Sequence, residues 1–224
     1  MNNKLIHVYL MPGLAANPTI FEHIKLDENQ FKIHWLKWMM PEVNETLESY
    51  AKRMVAKIEY DDVVLLGVSF GGILVQEMSK HIKLRALFVV SSVKSMHELP
   101  KRMKVMKYTK AYKILPTQLV RSIDLLAKYS FGDNITKRIE LYKKYLSVRD
   151  PQYLDWAIAQ VIEWDQDAPN KDAIYIQGDN DAVFPHSCVG NCIIIKGGTH
   201  IMIINKYKWF NENLPKLILP ESVD

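Results

Sequence analysis

Long apolar runs are what this chain most clearly lacks. The longest, such as Leu87-Phe88-Val89-Val90, fall far short of the roughly 20 residues that a membrane-spanning helix needs. Cysteine is nearly absent too: Cys188 and Cys192 are the only two in 224 residues, which excludes a disulfide framework and favours a reducing compartment. The apolar stretch at residues 5–11 is too short for a secretory signal and has no small-residue cleavage site, so a cytoplasmic location is expected. There is no internal repeat and no low-complexity segment. The formal net charge of +4 is mild and points to no nucleic-acid partner.

A hydrophobic content of 48% is enough for a sizeable core, and the length suits one α/β domain. Apolar strands are expected at residues 4–10, 31–38, 63–68, 84–91, 173–177 and 192–196. Helices are expected to start at Asn17-Pro18 and to cover 44–58, 73–82 and 202–214. Near-continuous apolar strands alternating with helices predict a mostly parallel six-stranded sheet covered on both faces. From 96 to 167 no strand is visible. Four helical segments are read there, at 100–115, 117–129, 134–146 and 151–164, the last opened by Asp150-Pro151 as cap and first-turn proline. The expected organisation is a core of residues 1–95 and 168–224, with a helical lid, residues 96–167, inserted between strands four and five.

The most informative stretch runs from Val63 to Gly72. An apolar strand leads into Gly67-Val68-Ser69-Phe70-Gly71 and at once into a helix. A serine on a sharp strand-to-helix turn has its hydroxyl exposed at the sheet edge. Strand and helix then approach so closely that side chains two residues away on either side would clash. Two later loops match it. Gly178-Asp179-Asn180-Asp181 leads to Pro185 after the fifth strand, and Gly197-Gly198-Thr199-His200 follows the sixth. Both lie at carboxyl ends of strands, where open α/β sheets place ligands.

The order serine, acid, histidine resembles that of α/β-hydrolases, and the resemblance, to a compact lidded member of that superfamily, covers essentially the whole chain. It implies Ser69 as nucleophile, His200 as base and Asp181 as acid. Asp179 is a rival acid, but Asp181 has the family's distance to Pro185. The resemblance also implies an oxyanion hole made by the backbone N–H groups of Phe70 and of Leu14 in the loop after the first strand. The chain departs from the family there: Pro12-Gly13 stands where His-Gly is usual.

The resemblance implies a serine hydrolase, carboxylesterase-like, acting on a small or medium acyl substrate and needing no cofactor. Thioesterase or acyltransferase action on acyl-CoA or an acyl carrier protein is the alternative, and a non-catalytic ligand-binding protein a further one. Expected pocket walls are Leu14, Phe70, Val93, Phe184 and Ile201 from the core, with methionines and Trp164 from the lid. Ser91-Ser92 is read as pocket lining. The basic run from Lys101 to Lys110 reads as a solvated helix face or as a dock for an acidic carrier or anionic surface. His186, Cys188, Cys192 and His200 match no standard zinc spacing, and no metal is expected.

Overall fold

A computed structural model of the chain describes residues 5–110, 112, 144–185 and 192–220. Among these residues six parallel strands, β1 (Ile6–Met11), β2 (Phe31–Trp35), β3 (Val63–Val68), β4 (Leu84–Val90), β5 (Ala173–Gly178) and β6 (Ile193–Ile195), form one sheet. Its order is β2-β1-β3-β4-β5-β6. The chain steps outward from β1 to β2, then returns to place β3 on the other side of β1. The loops after β1 and β3 therefore leave the sheet side by side at its switch point.

Period-two alternation divides the strand residues between two cores. On β3, Val63 and Leu65 join one cluster, with Tyr9, Met11, Leu87 and Val89; Val64, Leu66 and Val68 join the other, with Val8, Leu10, Phe88 and Val90. Every residue of β3 is buried, which is why it reads as a continuous apolar run. The first cluster is covered by α1 (Leu47–Val55), α2 (Phe70–Met78) and α4 (Pro151–Glu163). The second is covered by a 3-10 turn (Pro18–Phe21), α5 (Met202–Asn205) and α6 (Tyr207–Ile218).

Local chemistry sets the helix ends. Thr46 caps α1 by accepting from the Ser49 N–H, and Asp150 caps α4 by accepting from the Gln152 and Tyr153 N–H groups. Some boundaries differ from the sequence reading. The strand expected at 31–38 stops at Trp35, because Leu36 and Trp38 turn inward toward the β1 strand and the loop after it. The elbow helix begins at Phe70 rather than at 73, directly after Ser69. The closing helix is two helices, broken at Lys206, whose φ of -113° and ψ of 22° are not helical.

Between β4 and β5 the described residues form a 3-10 turn (Met96–Glu98), α3 (Lys101–Thr109) and α4, with no strand among them. The helices expected at 117–129 and 134–146 fall outside the described residues, apart from the last few of the second. Helix α4 buries Tyr153, Leu154, Ala157, Val161 and Ile162. Three side chains fasten it. The indole N–H of Trp156 donates to Glu45 O (2.7 Å), that of Trp164 to Glu77 Oε1 (2.9 Å), and Gln166 Nε2 to Lys94 O (2.9 Å). Lys107 of α3 donates to the carbonyls of Glu163 and Trp164, closing the end of α4 where unpaired carbonyls concentrate negative charge.

Candidate active site

Ser69 sits on the turn between β3 and α2 with φ 56° and ψ -121°, a conformation a side-chain-bearing residue adopts only at a cost of about 1–3 kcal/mol. The flanking glycines make the turn possible. A Cβ at Gly67 would lie 2.1 Å from Gly71 O, and one at Gly71 would lie 2.4 Å from Pro12 O. Two hydrogen bonds pin the elbow from the β4 side: Ser69 N–H donates to Val90 O (2.9 Å), and Ser92 Oγ donates to Ser69 O (2.8 Å). Ser92, read from the sequence as pocket lining, instead supports the elbow from behind.

The loops after β5 and β6 bring an acid and an imidazole to that serine. His200 Nε2 lies 2.9 Å from Ser69 Oγ, and His200 Nδ1 lies 2.9 Å from Asp181 Oδ2. A carboxylate can only accept, so Nδ1–H donates to Asp181, and Nε2 is left to accept the serine proton. Asp181 is almost fully buried, at 4% exposure. Its charge is met by the N–H groups of Val183 (2.8 Å) and Phe184 (3.0 Å) and by Gln177 Nε2 (2.8 Å). Asp179 faces elsewhere: its Oδ1 accepts from the Gly197 N–H at 2.6 Å and so braces the histidine loop.

The loop after β1 lies against the elbow. A Cβ on Gly13 would meet Ser69 Cβ at 3.2 Å and Ser69 Oγ at 3.8 Å. Phe70 opens α2, so its N–H has no acceptor within the helix. Among the described residues the Leu14 N–H makes no backbone hydrogen bond.

A cavity of about 120 Å³ opens on Ser69 and His200. Of the wall residues named from the sequence, Leu14, Phe70, Phe184 and Ile201 line it, and Met103 is the methionine from α3. Val93 and Trp164 do not. Val93 is fully buried beneath α2, where its carbonyl accepts from Gln76. Trp164 is turned to Glu77 on the far side of α2. Ile20, Tyr145 and Ile203, all buried and unnoticed in the sequence, line the cavity as well.

The basic run on α3 is largely engaged. Arg102 donates to Val183 O (3.2 Å), Lys104 to His97 O and Lys107 to the end of α4. Cys192 is a free, half-buried thiol whose pKa burial pushes up. His186 and Cys188 lie outside the described residues. None of the helices described is long and apolar enough to cross a membrane.

No family model and no curated protein matches the chain. Solved structures do. A bromoperoxidase from Bacillus anthracis superposes with a TM-score of 0.68 at 18% identity, over 98% of this chain and 94% of that one. An esterase from Exiguobacterium antarcticum gives 0.67 at 15% identity, over 97% and 93%. A hydrolase from Pseudomonas aeruginosa gives 0.71 at 14% identity, over 96% and 90%. At such identities the likeness is one of architecture, and with the six-stranded parallel sheet it establishes that this chain has the α/β-hydrolase fold.

Proposed function

We propose that this protein is a serine hydrolase that cleaves small or medium carboxylic esters through an acyl-enzyme intermediate. The observation that carries the proposal is the unbroken relay from Ser69 Oγ through both nitrogens of His200 to the buried Asp181 carboxylate. In this reading Ser69 Oγ attacks the ester carbonyl carbon as its proton passes to His200 Nε2. Asp181 holds the imidazole in the required tautomer and offsets the charge it gains. The tetrahedral oxygen accepts from the N–H groups of Leu14 and Phe70. Collapse of the intermediate expels the alcohol, which takes the proton from Nε2. Water then repeats the sequence on the acyl-enzyme. No cofactor enters these steps.

The apolar cavity walls support an apolar acyl group, since an unpaired polar atom there would lose its hydration without replacement. Residues 96–167 are the lid of this proposal, over a core of 1–95 and 168–224, with Met103, Tyr145, Leu146 and Val161 as its contribution to the wall. A cytoplasmic location is part of the same reading, supported by the unpaired Cys192 thiol.

The test is a fluorophosphonate probe together with p-nitrophenyl esters of graded chain length and the matching acyl thioesters. The wild-type protein should be labelled and should turn over the esters, and Ser69→Ala should abolish both. Preference for the thioesters would redirect the proposal to a thioesterase. A folded wild-type protein that neither labels nor turns over any substrate would overturn it in favour of a ligand-binding protein.

A further inference from the structure

We infer that Trp38 is the positioning residue of the oxyanion hole, holding both of its donors in register. The inference rests on the function proposed above and adds to it a residue that none of the hydrolase motifs contains. Trp38 lies beyond the end of β2, remote from the elbow in sequence. Its side chain nevertheless touches both halves of the hole. The indole Nε1–H donates to Gly13 O at 2.9 Å. The indole plane also stacks on the Phe70 ring, with centroids 4.9 Å apart and planes 6° from parallel.

The hydrogen bond matters because of peptide geometry. Gly13 C=O and Leu14 N–H belong to one planar trans unit, in which the two groups point in opposite directions. Anchoring the carbonyl therefore fixes the direction of the N–H. A flip of this peptide would swing the Leu14 N–H away from Ser69 and turn a carbonyl oxygen toward the place where negative charge develops. Glycine at 13 gives little resistance to such a flip, because it lacks the Cβ that restricts other residues. Pro12, its neighbour, has no N–H to contribute. The constraint is supplied within the loop by the Ala16 N–H, which donates to Gly13 O at 3.1 Å, and from outside it by the Trp38 donor, which shares that carbonyl.

Trp38 is itself held in place. The Tyr50 hydroxyl accepts from Met39 N–H (2.7 Å) and donates to Met39 O (2.9 Å), clamping the next residue. Burial raises the Tyr50 pKa to about 12, so the hydroxyl stays protonated and keeps its donor role. The indole also packs against the ring of Tyr153 of α4, with centroids 5.3 Å apart. The hole is therefore tied through one side chain to α1 and to the segment between β4 and β5.

The experiment compares wild type with Trp38→Phe and with a protein carrying 3-benzothienylalanine at position 38, which keeps the bicyclic stack and replaces only the N–H by sulfur. Hydrolysis of p-nitrophenyl butyrate and inhibition by a trifluoromethyl ketone, whose adduct places an oxyanion in the hole, are measured on protein counted by active-site titration. Both replacements should lower kcat about 10- to 100-fold, the scale expected of a misplaced catalytic group, with KM within about twofold. Ketone affinity should fall in proportion to kcat/KM, and Tm should hold in the benzothienyl protein. A kcat within twofold of wild type in that protein would overturn the inference. So would a loss explained by a smaller active fraction. Ser69→Ala is run in parallel: if its activity survives, the proposed function fails. If Ser69→Ala is dead while the benzothienyl protein is fully active, only the role of Trp38 fails. A wild type inert to ester and ketone alike would overturn both.

Discussion

Gly178 and Gly198 meet backbone to backbone. A Cβ added at Gly178 would lie 2.2 Å from Gly198 O. That carbonyl also accepts from the Asn180 N–H at 2.9 Å. The loop carrying Asp181 and the loop carrying His200 are thus set at the separation that two bare backbones allow. Gly178→Ala should push them apart, lowering kcat about 10- to 100-fold and stability by about 1–3 kcal/mol. Ester kinetics with urea denaturation would check this, and wild-type values in both would refute it.

The two neighbouring aspartates should separate cleanly. Asp181→Asn keeps an acceptor for the Val183 and Phe184 N–H groups but no longer favours the Nδ1–H tautomer of His200. In serine hydrolases built this way such a change costs on the order of 10⁴ in kcat. Asp179→Asn can still accept from the Gly197 N–H and should stay within a few-fold of wild type. Comparable losses in the two variants would contradict the assignment of the acid.

Chain-length preference should follow the buried apolar wall of the cavity. Ile203 is 2% exposed and lines it with Ile20 and Tyr145. Ile203→Phe should reduce kcat/KM for octanoate esters at least tenfold relative to acetate esters, and Ile203→Ala should move the ratio the other way. An unchanged ratio in both would place the acyl group elsewhere.

A different ion pair supports the fold beneath the site. Glu45 is buried, which by itself favours its neutral form. Bidentate contact with Arg53, at 2.7 Å to each oxygen, and the Glu42 N–H outweigh this and hold its pKa below the usual carboxylate range. A lowered folded-state pKa means the stabilisation is present above the ordinary carboxylate pKa of about 4.3 and is lost as pH falls through and below it. Arg53→Met should cost about 1–3 kcal/mol at pH 7, discounted for the partial exposure of Arg53. The gap between variant and wild type should close as pH drops below about 4. A gap independent of pH in urea titrations would mean the arginine acts through packing alone.

The parts of the molecule legible in the sequence are those whose chemistry is local. Gly67 and Gly71 announce the elbow because their backbones nearly collide, and Asp181 and His200 each follow a strand within a short loop. What escaped depends on where side chains go after the chain has folded. Trp164 ends an amphipathic helix in a way that fits either a pocket wall or a core, and only Glu77 on α2 decides for the core. Val93 follows β4 as a pocket residue would, yet it packs under α2. Ser92 and Trp38 have no local signature, because their partners Ser69 and Gly13 lie in other loops of the sheet edge.

All nine residues of α2 are buried, including Gln76 and Glu77, and each of those two takes one of its hydrogen bonds from beyond β4: Gln76 Oε1 accepts from Gln166 and Glu77 Oε1 from Trp164. The segment between β4 and β5 therefore cannot be swapped as a free module. A graft that exchanged residues 96–167 for a relative's cover would remove one hydrogen-bond partner each from a buried carboxylate and a buried amide in the helix that follows the serine, leaving Lys80 to Glu77 and Tyr175 to Gln76. Any attempt to change substrate scope by transplanting that segment should keep residues 150–167 as part of the recipient and vary what precedes them.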